Sequence, residues 1–166
     1  MGYVVRGLDP APFAHLFGQT NEALEAKGVL RFRAEPDSAL PDRVELRDLE
    51  PGETALLLNH VHQPADTPYR ASHAIFVLEN TVKPAVYEDI MPPALRTRLL
   101  SLRAFDAAHM MIDGDVVDGS AAEALVTRLF ANPAISYIHA HYARRGCFAA
   151  LIERGQGNQD VRGRSG

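Results

Sequence analysis

The alternation of His60 and His62 in Leu-Asn-His-Val-His, and of His139 and His141 in Ile-His-Ala-His, concentrates versatile side chains at two places in the chain. Successive residues of a β-strand point to opposite faces, so each pair sets two imidazoles on one side of a sheet. Neutral imidazole binds divalent metals, gives and accepts hydrogen bonds, and shuttles protons near neutral pH. A first candidate site joins His60, His62, Tyr69, Arg70 and His73. One strand supplies the paired imidazoles, a proline-stiffened loop the phenol and guanidinium, and the next strand opens with a third imidazole. Arg70 is suited to clamping a carboxylate or phosphate in bidentate fashion, and the imidazoles to holding Zn²⁺ or a similar ion. The simpler alternative bonds the three histidines to loop carbonyls and pairs Arg70 with Asp66.

A second group is His139, His141, Arg144, Arg145 and Cys147. A hairpin register pairing Tyr142 with Cys147 places His139 and His141 on the face of Phe148 and Ala150. Ile138, Ala140, Cys147, Ala149 and Leu151 then form the opposite, core-facing side. In that register Cys147 is a small buried hydrophobe rather than a nucleophile. A slip of one residue reverses the assignment. A third group, Asp106, His109, Asp113, Asp115 and Asp118, combines carboxylates with an imidazole, a pairing used in metal binding and proton transfer. Its spacing does not match a calcium loop, and turn and cap duties are the simpler account of these acids.

The elements that must position these groups are legible as short segments. Tyr3 to Arg6 reads as a strand. Asp9-Pro10 starts a helix stopped by Gly18, and Thr20 caps a second helix ended by Gly28. Strands are expected over Val29 to Ala34, Arg43 to Leu46, Thr54 to His62 and Ser72 to Glu79, the last two joined by a structured loop from Gln63 to Ala71. Pro92-Pro93 opens a short helix. Strands follow over Leu100 to Phe105 and His109 to Val117, the latter with a break at Asp113-Gly114. Ser120-Ala-Ala-Glu123 reads as a capping box for a helix to Ala131. A hairpin of Ile135 to Tyr142 and Cys147 to Glu153 closes the chain. Strand runs with inserted helices predict an α+β fold: one domain, residues 1–154, with a mostly antiparallel sheet and several short helices. A glycine-rich, polar tail, 155–166, is expected to fray.

Composition narrows the function classes. A length of 166 residues suits one domain with a real core. A net charge of -4 gives no electrostatic reason to expect a nucleic-acid partner. The single cysteine fits a reducing compartment. No apolar run approaches the roughly 20 residues that span a bilayer. The opening Met-Gly-Tyr-Val-Val-Arg-Gly shows no secretory signal and, with Arg6, no myristoylation site, so a cytoplasmic location is the expectation. No Gly-x-Gly-x-x-Gly, phosphate loop, His-Glu-x-x-His, Cys-x-x-Cys or Gly-x-Ser-x-Gly signature is present.

The stretch from Glu50 to Val77, with Leu-Asn-His-Val-His-Gln-Pro-Ala-Asp-Thr-Pro-Tyr-Arg-Ala-Ser-His at its centre, resembles the bacterial domain-of-unknown-function family 1203. Further matching segments are Phe13-Ala-His-Leu-Phe, Leu99 to Ala107, Met110 to Gly119, Tyr137-Ile-His-Ala-His and Arg145-Gly-Cys-Phe-Ala-Ala. The resemblance covers about the first 154 residues. It implies a small bacterial cytosolic protein and no activity, so it assigns no catalytic residue. One departure is visible: the family pattern has Pro-Cys-Arg where this chain has Pro41-Asp42-Arg43, so any role of that cysteine beside Cys147 is not shared.

Three functional readings follow. The preferred one is a small anionic molecule bound at one sheet end by His60, His62, Tyr69, Arg70, His73, His139 and His141. The second is a metal-dependent enzyme, hydrolytic or oxidative, built on the same histidines. The third is a non-enzymatic interaction module with structural histidines and, in that case, a homo-oligomer. The spacing specifies no cofactor; a divalent metal is an option for the histidines, not the expectation.

Overall fold

Each strand of the protein finds an antiparallel partner. The structure, a computed structural model, describes residues 2–156. The strands are β1 (Tyr3–Arg6), β2 (Leu30–Arg33), β3 (Thr54–Gln63), β4 (Ala71–Leu78), β5 (Val86–Glu88), β6 (Leu99–Phe105), β7 (Met111–Asp118), β8 (Tyr137–Tyr142) and β9 (Phe148–Arg154). They form a six-stranded sheet, β5-β1-β9-β8-β6-β7, and a three-stranded sheet, β2-β3-β4. With helices α1 (Asn21–Glu25), α2 (Pro93–Arg96) and α3 (Ala122–Phe130), this is a single α+β domain. Among the described residues no helix is long and apolar enough to cross a membrane.

The larger sheet buries one face under α2 and α3. Alternation along β6 and β8 sends Leu100, Leu102, Ala104, Ile138 and Ala140 to this side. There they meet Leu95 of α2 and Leu125, Val126, Leu129 and Phe130 of α3, a helical stripe at the spacing a sheet-facing helix requires. Each fully buried leucine, isoleucine, valine or phenylalanine among them contributes about 1.5–3 kcal/mol. A second core lies on the smaller sheet, where Leu56, Leu58, Ile75 and Val77 pack with Phe13, Leu16, Leu24 and Val44.

The helix starts follow local chemistry. The Asp9 carboxylate accepts from the Ala11 amide at 3.0 Å and Pro10 precedes a 3₁₀ helix over Ala11–Leu16. The Thr20 hydroxyl accepts from the Ala23 amide at 3.1 Å and caps α1.

Three expectations are corrected. Arg43 to Leu46 is not a strand: the Asp42 carboxylate accepts from the amides of Glu45 and Leu78, and Leu46 takes a φ of 58°. A buried carboxylate and a buried guanidinium in sequence need partners that a flat ladder does not give, so the segment folds on itself. The capping box at Ser120 is not made; Gly119–Ala121 is a 3₁₀ turn, α3 starts at Ala122, and the Glu123 carboxylate accepts from the Tyr3 hydroxyl at 3.0 Å. Its backbone is set by close approach to α2 rather than by a cap. The turn near Asp113-Gly114 lies earlier, at 106–110, because the Asp106 carboxylate accepts from both Ala108 and Met110 amides at 2.9 Å. The strand β5 was not foreseen; three residues are too few to show alternation. Gly155 still donates to the Gly2 carbonyl at 2.7 Å, while 157–166 of the expected tail lie outside the described residues.

Two glycines mark where backbones are pressed together. A Cβ on Gly7 would overlap the Val44 carbonyl, and one on Gly119 the Leu95 carbonyl. Gly7→Ala and Gly119→Ala are each expected to lower unfolding free energy by about 3 kcal/mol, read as the shift of the urea midpoint at constant slope. An unchanged midpoint would mean that these backbones part without penalty.

Candidate functional site

Strand alternation carries Leu56, Leu58 and His60 to the inner side of the smaller sheet, and His60 stands opposite His73 in the register. Beyond Val61 the register skips a residue: Val61 pairs with Ser72 and Gln63 with Ala71, so His62 is the extra residue of a β-bulge. A bulge bends a strand and re-aims the side chain it frees. The His62 ring reaches the larger sheet. Its ring centroid lies 4.8 Å from that of His141 and 6.3 Å from that of His139, and the latter two are 6.4 Å apart. Phe148 stacks on His62 at 5.5 Å and meets the edges of His139 and His141 at 5.2 and 5.8 Å.

The β8–β9 hairpin has the expected pairing at its turn, the Tyr142 amide donating to the Cys147 carbonyl at 2.9 Å, with His141 opposite Phe148. A second bulge then intervenes. Ala140 pairs with Ala150 and His139 with Leu151, which leaves Ala149 as the extra residue. The face assignment beyond it is therefore corrected: Ala150 joins the core and Leu151 lines the histidine side. Cys147 is buried in the core, as the hairpin register predicts.

Not all the candidate residues converge. His60 lies between Phe13 and Phe148, with ring separations of 5.8 and 6.1 Å. His73 Nδ1 meets the Ala74 carbonyl at 2.9 Å. Arg70 is exposed and donates to the Pro64 carbonyl at 2.6 Å, closing its own loop rather than pairing with Asp66. Tyr69 packs edge-on against Phe105 at 6.3 Å, and Phe105 in turn contacts His139 at 5.0 Å. Asp113 and Asp115 pair with Arg128 of α3, while His109 bonds the Tyr137 hydroxyl.

Several residues join the site that strand parity alone did not single out. Arg103 stands opposite His139 on β6; it is partly buried, its Nε donates to the Ser101 hydroxyl at 3.3 Å, and among the described residues no carboxylate forms an ion pair with it. Tyr137 shares the parity of His139 and His141, a signal present in the sequence. Its hydroxyl accepts from Gln63 Nε2 at 2.9 Å and lies 2.7 Å from His109 Nδ1. The Ala65 amide donates to Gln63 Oε1 at 3.3 Å, which fixes the orientation of the Gln63 amide. The chain of bonds thus runs one way, from Gln63 to Tyr137 to His109, and leaves the His109 proton on Nε2. His109 holds a φ of 63°, which a side chain adopts at a cost of about 1–2 kcal/mol.

His62, Gln63, His109, Tyr137, His139 and Leu151 line an open cleft of about 630 Å³ between the sheets. Burial pushes His139 and His141 down to about 3 and His62 down to about 4, with Arg103 adding to the depression of each. These rings are neutral at pH 7. The Nδ1 of His141 is spent on the Gly146 carbonyl at 3.0 Å, while Nδ1 of His62 and of His139 is buried without a partner. Among the described residues no group of three or more His, Cys, Asp or Glu side chains is arranged to hold a metal ion.

Two antiparallel sheets packed with short helices, with imidazoles of both sheets meeting between them, define the class of α+β domain to which this protein belongs. A family model described as protein of unknown function, DUF1203, matches residues 39–154, and the chain belongs to that family. No curated protein and no solved structure matches the chain.

The depressed imidazoles set a pH dependence whose sign is fixed. Their folded pKa values lie below the ordinary value of about 6.5, so the unfolded chain binds more protons as pH falls through that value. Stability is therefore full above pH 6.5 and declines toward pH 4. His139 and His141 together give a slope on the order of 2 kcal/mol per pH unit in that window. Urea unfolding at pH 7, 6 and 5 measures it. His139→Leu, which removes an unpartnered nitrogen, is expected to show a shallower slope with no loss at pH 7; an unaltered slope would place the pH sensitivity elsewhere.

Proposed function

We propose that the protein binds a small anionic molecule in the cleft between its sheets, with Arg103 as the charge partner. The observation that supports this most directly is that the polar groups around the cleft present hydrogens and little negative charge. Nδ1 of His62 and of His139 has no acceptor, and a buried unsatisfied donor is the rarer arrangement, so the proton of each ring belongs on Nε2. Nε2 of each ring then carries the hydrogen, as an N–H donor on a residue that lines the cleft. His109 offers a third Nε2–H through the bonded chain from Gln63. Glu153, the carboxylate on the cleft wall, pairs with Arg6 at 2.8 Å. A carboxylate or phosphate group, all acceptor, complements such a set.

The tyrosine and phenylalanine rings suit the remainder of a small organic molecule. Tyr137 and Leu151 line the cleft, and buried Phe105 stacks on the Tyr137 ring at 5.2 Å and backs it. Clefts of this size hold metabolite-scale ligands, with apolar walls and a few oriented polar groups.

The test is titration of the protein with a panel of small carboxylates and phosphates, read by the ring signals of His62, His109 and His139 and by calorimetry. At least one anion is expected to shift these signals saturably. Arg103→Met is expected to weaken that binding about tenfold or more, the worth of a charge-assisted hydrogen bond. Arg70→Ala is expected to leave it nearly unchanged. Silence of all three rings toward every anion, or a loss with Arg70→Ala equal to that with Arg103→Met, would overturn the reading.

A further inference from the structure

His109 holds a backbone position that a side chain does not suit. Ala107, Ala108 and His109 form the loop between β6 and β7. The His109 amide donates to the Asp106 carbonyl at 3.0 Å, and the Asp106 amide to the Met110 carbonyl at 2.9 Å. Loops of this kind are a type I turn followed by one left-handed residue, where glycine is the default. Here His109 takes that place, with a φ of 63°. Strain carried by a residue that the turn does not require points to a use outside the turn. The His109 ring bonds the Tyr137 hydroxyl through Nδ1 at 2.7 Å and lines the cleft.

The fold sets this ring apart from the other imidazoles. Along β8 the cleft side carries His141, His139 and then Tyr137, and the β6–β7 loop follows the last pair, Phe105 with Tyr137. The Tyr137 ring lies 5.2 Å from the His139 ring and 5.7 Å from the His109 ring. His62 lies 6.3 Å from His139. The cleft therefore holds its imidazoles in two groups, His62 with His139 and, past the phenol, His109.

Given the anion site proposed above, on which this rests, we infer that its ligand is a dicarboxylate. One carboxylate is taken by His62 and His139, the other by His109. Each end of such a molecule is all acceptor, and each imidazole group offers it N–H donors. Tyr137 and Leu151, which line the cleft, suit the methylenes of a short chain. Glu153 stands opposite Tyr137 in the β8–β9 register. Its pairing with Arg6 at 2.8 Å offsets the charge that would otherwise repel the second carboxylate.

Calorimetry on the full-length protein tests this with succinate, glutarate and adipate, each beside the monocarboxylate of the same chain length. A further arm uses γ-aminobutyrate, which puts an ammonium where glutarate has its second carboxylate. At least one dicarboxylate is expected to bind about tenfold or more tightly than its monocarboxylate, the worth of a second charged hydrogen bond. His109→Gly is expected to bring that ratio close to unity, whereas His139→Leu weakens both members of the pair. The urea midpoint of His109→Gly is expected to stay at or above that of the wild type, because glycine suits the left-handed position. A lower midpoint would mean that the turn needs the imidazole, and would overturn the inference. So would dicarboxylates that bind no more tightly than monocarboxylates, a ratio that survives His109→Gly, or tighter binding of γ-aminobutyrate than of glutarate. Those results leave the anion site standing; failure of every carboxylate, single or double, to bind removes the site and its dicarboxylate together.

Discussion

The relation between the two sheets depends on one buried guanidinium. Arg43 belongs to a segment whose backbone is tied to the smaller sheet, through the bridge of Asp42 with Phe76 and the bond from the Leu78 amide to the Asp42 carboxylate. Its side chain belongs to the larger sheet, through Phe148 and Cys147. Desolvating such a charge is expensive, and an apolar contact of equal volume is often no less stable. What the guanidinium adds is direction: donors in a fixed planar fork specify where the hairpin turn must lie. Since Phe148 follows Cys147, that constraint also fixes the ring on which His62 stacks.

The imidazoles that meet at this junction act as hydrogen-bonding groups, not as charges. Their burial holds them uncharged, and each neutral ring has one hydrogen and one lone pair to place. His141 places its Nδ1–H on Gly146. Arg103 adds to the depression of these rings; it keeps its charge despite burial and, among the described residues, forms no ion pair. A cation flanked by uncharged rings and aromatic surface, in a medium less polarisable than water, interacts more strongly with an incoming anion than the same cation on an open surface.

Much of this was legible in the sequence, and the failures have local causes. The apolar alternation of β3, β4, β6 and β8 gave their extents closely, and the proline and glycine punctuation located their turns. Asp42 and Arg43 misled because they read as polar surface residues yet are buried, and their partners lie more than 30 and 100 residues away. Arg70 is close to the histidines in sequence, whereas Arg103 comes to stand opposite His139 only through the β6–β8 pairing, which no local pattern encodes. Tyr137 was in view, sharing the parity of His139, but a phenol beside two imidazoles reads equally well as core.

The deeper reason that parity was incomplete lies in the two bulges. Strict alternation would have put His60 and His62 on one face and Gln63 on the other. With His62 as the extra residue of β3, both it and the next residue are released from that rule: the His62 ring crosses to the larger sheet and Gln63 turns inward to Tyr137. Ala149 does the same for β9, so that Phe148 and Leu151 stand on one side despite an odd separation. A bulge shortens the ladder by a pair and increases twist, so neighbouring elements diverge beyond it. A bulge on each sheet at this contact, with His62 stacked on the residue beside Ala149, therefore does two things at once: it brings aromatic and imidazole rings into contact and parts the sheets just beyond them. The cleft opens because the strands stop alternating at the place where the two sheets touch.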